Sequence, residues 1–116
     1  MGLKRGNIFG EIPKDLTNEV FEDIITSERV RIERIVSDGH FTPIGDWYDQ
    51  AENEWVTVLK GEGVIEYLDG TVVTLGVGDH IKIPAHEKHR VKSTSESSLT
   101  IWLAVFYPKG ESEQKH

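Results

Sequence analysis

Side chains able to bind a metal or move a proton are concentrated in two segments of this sequence. The first contains Gln50 and Glu54, four residues apart, and the second contains His86 and His89, three residues apart. Together they offer an amide oxygen, a carboxylate and two imidazoles, donors that suit Fe(II), Mn, Zn or Ni better than Cu(I). The chain has no cysteine, so any metal must be held by donors of these types.

Strands are the elements that must position these side chains. After the first thirty residues the chain consists of short β-branched and aromatic runs broken by Gly, Pro and Asp, which is typical of an all-β sandwich or barrel. An even spacing on an extended chain places Gln50 and Glu54 on one face. The odd spacing of His86 and His89 separates them unless the segment after Pro84 turns. We expect strands near residues 30–36, 53–59, 63–68, 71–75, 79–83, 88–93 and 99–107.

Local patterns predict three further features. The sequence DLTNEVFEDIITSE after Pro13 predicts a short amphipathic helix. The pair Asp69-Gly70 predicts a type I′ hairpin turn, since that dipeptide tolerates two positive φ angles. The run Ile101–Tyr107 is apolar on both faces, which is typical of a strand covered by layers on both sides. A second copy of the chain or the N-terminal segment could provide that cover, and of the two we expect the second copy, hence a homodimer.

Composition excludes several classes of function. The 116 residues form one domain at the usual size, and their net charge of −7 with a pI near 5.2 disfavours nucleic acid and anionic membranes as partners. No apolar run approaches the ~20 residues that cross a bilayer. The first ten residues lack the apolar centre of a signal peptide. We therefore expect a cytoplasmic protein with a small-molecule ligand.

Two spacings match the motifs of a known family. Glu54 is followed by six residues and Gly61, and Gly78 is followed by five residues and Pro84, with His89 five positions later. On these residues the chain resembles the cupin superfamily, and more closely a group of small single-domain bacterial and archaeal cupins. The resemblance implies a small jelly-roll β-barrel with a metal inside.

The resemblance also implies a division of the chain. It covers residues 30–107, which we expect to form the cupin β-barrel. Residues 1–29 are then an N-terminal segment whose short helix packs on the barrel, and residues 108–116 are a flexible tail. The predicted fold class is all-β with this one short helix.

The sequence departs from the family pattern at the expected His-X-His. Tyr48-Asp49-Gln50 stands there at one permitted spacing and Trp47-Tyr48-Asp49 at the other, so both histidines are missing. His86 stands where the second motif has a glycine. The surviving set predicted to hold one divalent metal ion (Fe, Mn, Zn or Ni) is Gln50, Glu54, His86 and His89.

Each candidate also has a structural interpretation. Glu54 could pair with Arg34 or Arg90, His89 could be a hydrogen-bonded interior histidine, and His86 could lie at a solvent-exposed rim. Gln50 could bind a substrate instead of a metal. Two further residues are candidates for the substrate pocket: Tyr48, which could close over a ligand or simply pack, and Arg34, which could face inward or be solvated.

Three functions follow from this set. The first is a mononuclear metalloenzyme that acts on a small polar molecule as an oxygenase, isomerase or lyase. The alternative is a non-catalytic cupin that binds a metal or a small ligand. A third is a cupin without metal, in which Glu54 and His89 belong to an internal hydrogen-bond network.

Overall fold

The structure is a computed structural model that describes residues 5–110, and all its regular elements are strands. Each of the seven strands predicted from the sequence is confirmed, with both ends within one residue. No helix in the described part of the chain could span a membrane. The strands are β1 (Val20–Thr26), β2 (Arg31–Ser37), β3 (Glu52–Lys60), β4 (Gly63–Tyr67), β5 (Val72–Leu75), β6 (His80–Ile83), β7 (His89–Thr94) and β8 (Thr100–Pro108).

The eight strands form two antiparallel sheets. The larger has the order β1-β2-β8-β3-β6, and the smaller has the order β5-β4-β7. Within residues 5–110 no strand pairing joins the two sheets, so this jelly roll is an open two-sheet sandwich and not a closed cylinder of hydrogen bonds. Apolar side chains from both sheets meet between them, including Val56, Trp102 and Phe106 from the large sheet and Ile65 and Leu75 from the small one.

One close approach fixes how the sheets meet. A Cβ atom on Gly63 would lie 2.1 Å from Cη2 of Trp102, so only glycine lets the indole pack against β4. The Trp102 Nε1–H donates to Ser37 Oγ at 3.1 Å, which satisfies its buried polar atom.

The predicted N-terminal helix is wrong: its residues contain strand β1, preceded by irregular chain. The strand pairs with β2 and carries a bulge between Asp23 and Ile25. A bulge adds one residue and breaks the alternation of faces, which makes the apolar residues recur at intervals that resemble a helix. Phe21, Ile24 and Ile25 each stay about half exposed on this edge strand.

The hairpin at Asp69-Gly70 is confirmed, but its turn is not type I′. Only Gly70 has a positive φ, and its N–H donates to the carbonyl of Tyr67. The connection is therefore a type I turn followed by a left-handed glycine, the usual arrangement of a three-residue hairpin loop.

Strand β8 is covered within the chain on one face. It lies between β2 and β3, and Trp102, Ala104 and Phe106 are buried on its inner face. Leu103, Val105 and Tyr107 on the outer face are only partly buried, so the homodimer predicted to cover this strand stays a prediction.

Candidate functional site

A cavity of about 220 Å³ lies between the two sheets. This volume lies below the range of about 300 to 1,000 Å³ that is usual for drug-sized ligands. The cavity therefore suits a smaller molecule. The lining is apolar apart from one group of polar side chains around Glu54, two charged residues of β2, and Glu19. It consists of Glu19, Phe21, Arg31, Glu33, Ile35, Tyr48, Gln50, Glu54, Val56, Ile65, Ile83, His89, Val91, Trp102 and Phe106.

Gln50, Glu54 and His89 converge in this cavity. Glu54 extends from β3 and His89 from the first position of β7, and both are buried. The Glu54 Oε1 atom accepts a hydrogen bond from Gln50 Nε2 at 2.8 Å and lies 3.7 Å from His89 Nε2. We call Gln50, Glu54 and His89 the polar triplet.

The backbone fixes the protonation pattern of His89. Its Nδ1 lies 2.8 Å from the carbonyl oxygen of Glu87, which can only accept a hydrogen bond. Nδ1 therefore carries the proton, and in the neutral ring Nε2 has a free lone pair directed toward Glu54. When the ring is protonated, Nε2–H can donate to the Glu54 carboxylate.

The surroundings of His89 also raise its pKa above the ordinary 6.5. Burial works in the opposite direction, but the Glu54 carboxylate and the carbonyl of Glu87 together favour the imidazolium more strongly. The imidazolium therefore persists to higher pH in this site than in a free histidine.

Two loops hold the polar triplet in place. Tyr48 N–H donates to the carbonyl of His89 at 2.8 Å, and His89 N–H donates to the carbonyl of Tyr48 at 3.2 Å. This bridge joins the loop before β3 to the start of β7. The Tyr48 ring lies 5.7 Å from the His89 ring and lines the cavity, so one residue contributes to both the bridge and the pocket.

His86 does not join the polar triplet. Its side chain is exposed, does not line the cavity, and contacts Asp49 Oδ1 through Nδ1 at 2.9 Å. A turn after Pro84 does occur, but His86 adopts a positive φ of 63° there, and its side chain lies outside the site. The prediction of His86 as a fourth ligand is corrected accordingly.

Arg34 does not line the cavity either. Its guanidinium pairs with Glu22 at 2.6 Å and donates to the carbonyls of Ile8 and Gly10. It lies on the opposite face of β2, where the N-terminal segment buries it. Arg90 pairs with Glu66, so neither arginine considered as a structural partner of Glu54 contacts that carboxylate in the structure.

Three charged cavity residues were missed in the sequence: Glu19, Arg31 and Glu33. Arg31 and Glu33 lie on the inner face of β2, and Arg31 NH1 contacts Glu33 Oε2 at 2.6 Å. Burial raises the pKa of Glu33, although the Arg31 charge works in the opposite direction. The guanidinium also lies 4.0 Å above the Phe106 ring. The alternating charges of this face resemble those of a solvent-exposed face, so nothing in the sequence indicated that it lines a cavity.

Three of the four predicted metal ligands converge: Gln50, Glu54 and His89. Across residues 5–110 no group of three His, Cys, Asp or Glu side chains is arranged to hold a metal ion. The polar triplet supplies one imidazole, one carboxylate and one amide, and the Gln50 amide is engaged as a donor to Glu54.

A comparison with protein families assigns the chain. A family model described as a cupin domain matches residues 39–106, more than half of the sequence. The chain belongs to the cupin family. The match includes both loops that carry the polar triplet. Curated proteins give no significant match.

Solved structures agree with this family. A Ralstonia eutropha protein, described as a proposed mannose-6-phosphate isomerase, is 36% identical with a TM-score of 0.87, covering 91% of this cupin and 99% of that chain. A cupin from Desulfovibrio desulfuricans is 20% identical with a TM-score of 0.74, covering 93% and 99%. The DMSP lyase of Ruegeria pomeroyi is 17% identical with a TM-score of 0.69, covering 94% and 57%. The last two show a shared fold.

Proposed function

We propose that this cupin acts on a small polar molecule bound between its sheets, with His89 and Glu54 as a proton-transfer pair. The observation that carries the proposal is the contact between His89 Nε2 and Glu54 Oε1 inside the cavity, with Nδ1 held by the Glu87 carbonyl. Such an arrangement leaves Nε2 as a base and gives its conjugate acid a carboxylate partner. Gln50 holds the carboxylate in position.

Proton transfer of this kind suits an isomerase acting next to a carbonyl group. His89 would take a proton from the hydroxyl-bearing carbon through Nε2, and the same imidazolium would return it to the neighbouring carbonyl carbon. The proton of the substrate hydroxyl would move to the former carbonyl oxygen by way of the Glu54 carboxylate, so that the hydroxyl and the carbonyl exchange places. The name given to the Ralstonia eutropha protein supports this reaction class. The balance of charge in the cavity argues against a phosphorylated substrate, because three glutamates line it with one arginine and one histidine. An uncharged hydroxy-carbonyl compound fits better.

Deuterium incorporation tests the proposal. Tag-free protein treated with EDTA is incubated in D₂O with unphosphorylated aldoses, hydroxy-ketones and mannose 6-phosphate, and the carbon-bound protons are followed by NMR. We expect exchange with an uncharged compound that falls by at least about 100-fold in His89→Gln. The proposal is wrong if no compound exchanges or if His89→Gln exchanges at the rate of the wild type. Binding without exchange supports the non-catalytic module.

The divalent metal stays a prediction for Gln50, Glu54 and His89. Its test is elemental analysis of tag-free protein beside Glu54→Ala: near-stoichiometric Fe, Mn, Zn or Ni that disappears in the variant would support it.

The homodimer is also untested. The apolar side chains exposed on edge strand β1, Phe21, Ile24 and Ile25, are candidates for the contact. Phe21 also lines the cavity, so a copy bound there would lie at its mouth. Gel filtration at high concentration distinguishes a dimer from a monomer.

A further inference from the structure

We propose that His86 and Asp49 form a clasp that positions the polar triplet, a role that rests on the proposed function of that site. The clasp is the side-chain contact between His86 Nδ1 and Asp49 Oδ1 at 2.9 Å. It joins the loop of residues 48–50 to the loop of residues 84–89. Each of these loops carries one member of the triplet, Gln50 in the first and His89 in the second.

The contacts around the clasp lie on consecutive residues of both loops. Asp49 lies between Tyr48, which bridges to His89 through the backbone, and Gln50, whose carbonyl accepts from His86 N–H at 2.8 Å. The side-chain contact therefore lies between two backbone contacts of the same loops. One of these contacts is at His89 and the other is at Gln50. Opening it frees Gln50 to leave Glu54.

The backbone of His86 is held in a conformation that its side chain does not favour. A φ of 63° is uncommon for a residue with a Cβ atom, although histidine, asparagine and aspartate adopt it more often than other residues do. Glycine would fit this position with less strain, but it could not contact Asp49. The contact with Asp49 is therefore what the histidine side chain adds at this position.

The clasp affects position more than global stability. Both side chains are largely exposed, at 55% for His86 and 41% for Asp49, and exposed ion pairs contribute little to folding. Loss of a contact of this strength raises the equilibrium constant for local opening of a loop by between about 1.5-fold and fivefold. Its consequence should therefore be confined to the two loops.

Hydrogen exchange and side-chain NMR test the clasp without any substrate. Asp49→Ala removes the acceptor, Asp49→Asn keeps an acceptor oxygen for Nδ1–H, and His86→Gly removes the imidazole while accommodating the positive φ. We expect Asp49→Ala and His86→Gly each to accelerate exchange of the Tyr48 and His89 amide protons by between about 1.5-fold and fivefold. The Gln50 side-chain amide resonances should shift in both variants.

Three controls make the result specific. Asp49→Asn should restore wild-type exchange, the double variant should change exchange no more than either single variant, and His80→Ala should leave both loops unchanged. His80 is an exposed histidine on β6 whose ring contacts Trp55. Unchanged exchange and Gln50 resonances in Asp49→Ala, or additive effects in the double variant, would overturn the clasp. None of these readings depends on turnover, so the clasp and the proposed function can fail separately.

Discussion

The Oε1 atom of Glu54 and the Nε2 atom of His89 lie 3.7 Å apart, although the two residues belong to different sheets. Glu54 is on β3 of the large sheet, and His89 begins β7 of the small sheet. The contact therefore depends on how the sheets pack and on the loops that bridge them. Any change that moves one sheet against the other should be detected first at this pair.

Glu54→Gln should lower stability more at acid pH than at alkaline pH. The pKa of His89 is higher in the folded protein than its ordinary value, so its contribution is complete below about pH 6.5 and is lost as the pH rises through the folded pKa. We expect a loss of about 2 kcal/mol at pH 5.5, because the buried imidazolium loses the carboxylate charge that lies 3.7 Å from it. Urea unfolding across this pH range measures it.

The control for that series is Glu96→Gln, at an exposed position. It should leave the free energy of unfolding within about 0.5 kcal/mol at every pH. A loss in Glu54→Gln that grows with rising pH would contradict the assignment of the His89 pKa.

Arg31→Met should destabilise the protein and raise the pKa of Glu33 further. Burial already raises that pKa, and the Arg31 charge is the largest influence that lowers it. Because Arg31 is one-third exposed, we expect a loss of about 1–2 kcal/mol at pH 7. The loss should shrink as the pH falls and Glu33 becomes neutral. Urea unfolding at pH 7 and pH 4 checks this, and equal losses at both pH values would contradict it.

Gly63→Ala should be among the most damaging single substitutions in the small sheet. The new Cβ atom would overlap the Trp102 ring, and overpacking of this kind costs about 3 kcal/mol. Because Trp102 lines the cavity, ligand binding should weaken as well. Gly6→Ala is the matched control, since open space surrounds that position. Thermal unfolding of the two variants distinguishes them, and equal midpoints would show that Trp102 can move.

The strand pattern could be predicted from the sequence because alternation and turn residues are local. Seven strands were identified this way, and Glu54 and His89 were found through their motif spacing. The inner face of β2 was not identified from the sequence. Arg31 and Glu33 line a cavity there, but charged residues in a sequence look the same whether they face a cavity or bulk water. The place of His86 depends on a positive φ and on Asp49 in another loop, neither of which a spacing reveals. Strand β1 was misidentified because its bulge breaks the alternation.

The most direct test of the proton-transfer pair is the ¹⁵N NMR titration of the His89 imidazole in EDTA-treated protein and in Glu54→Gln. We expect the neutral ring to carry its proton on Nδ1, with a pKa above 6.5 in the wild type and a lower one in the variant. A proton on Nε2 in the neutral ring, or the same pKa in both proteins, would contradict the pairing of His89 with Glu54.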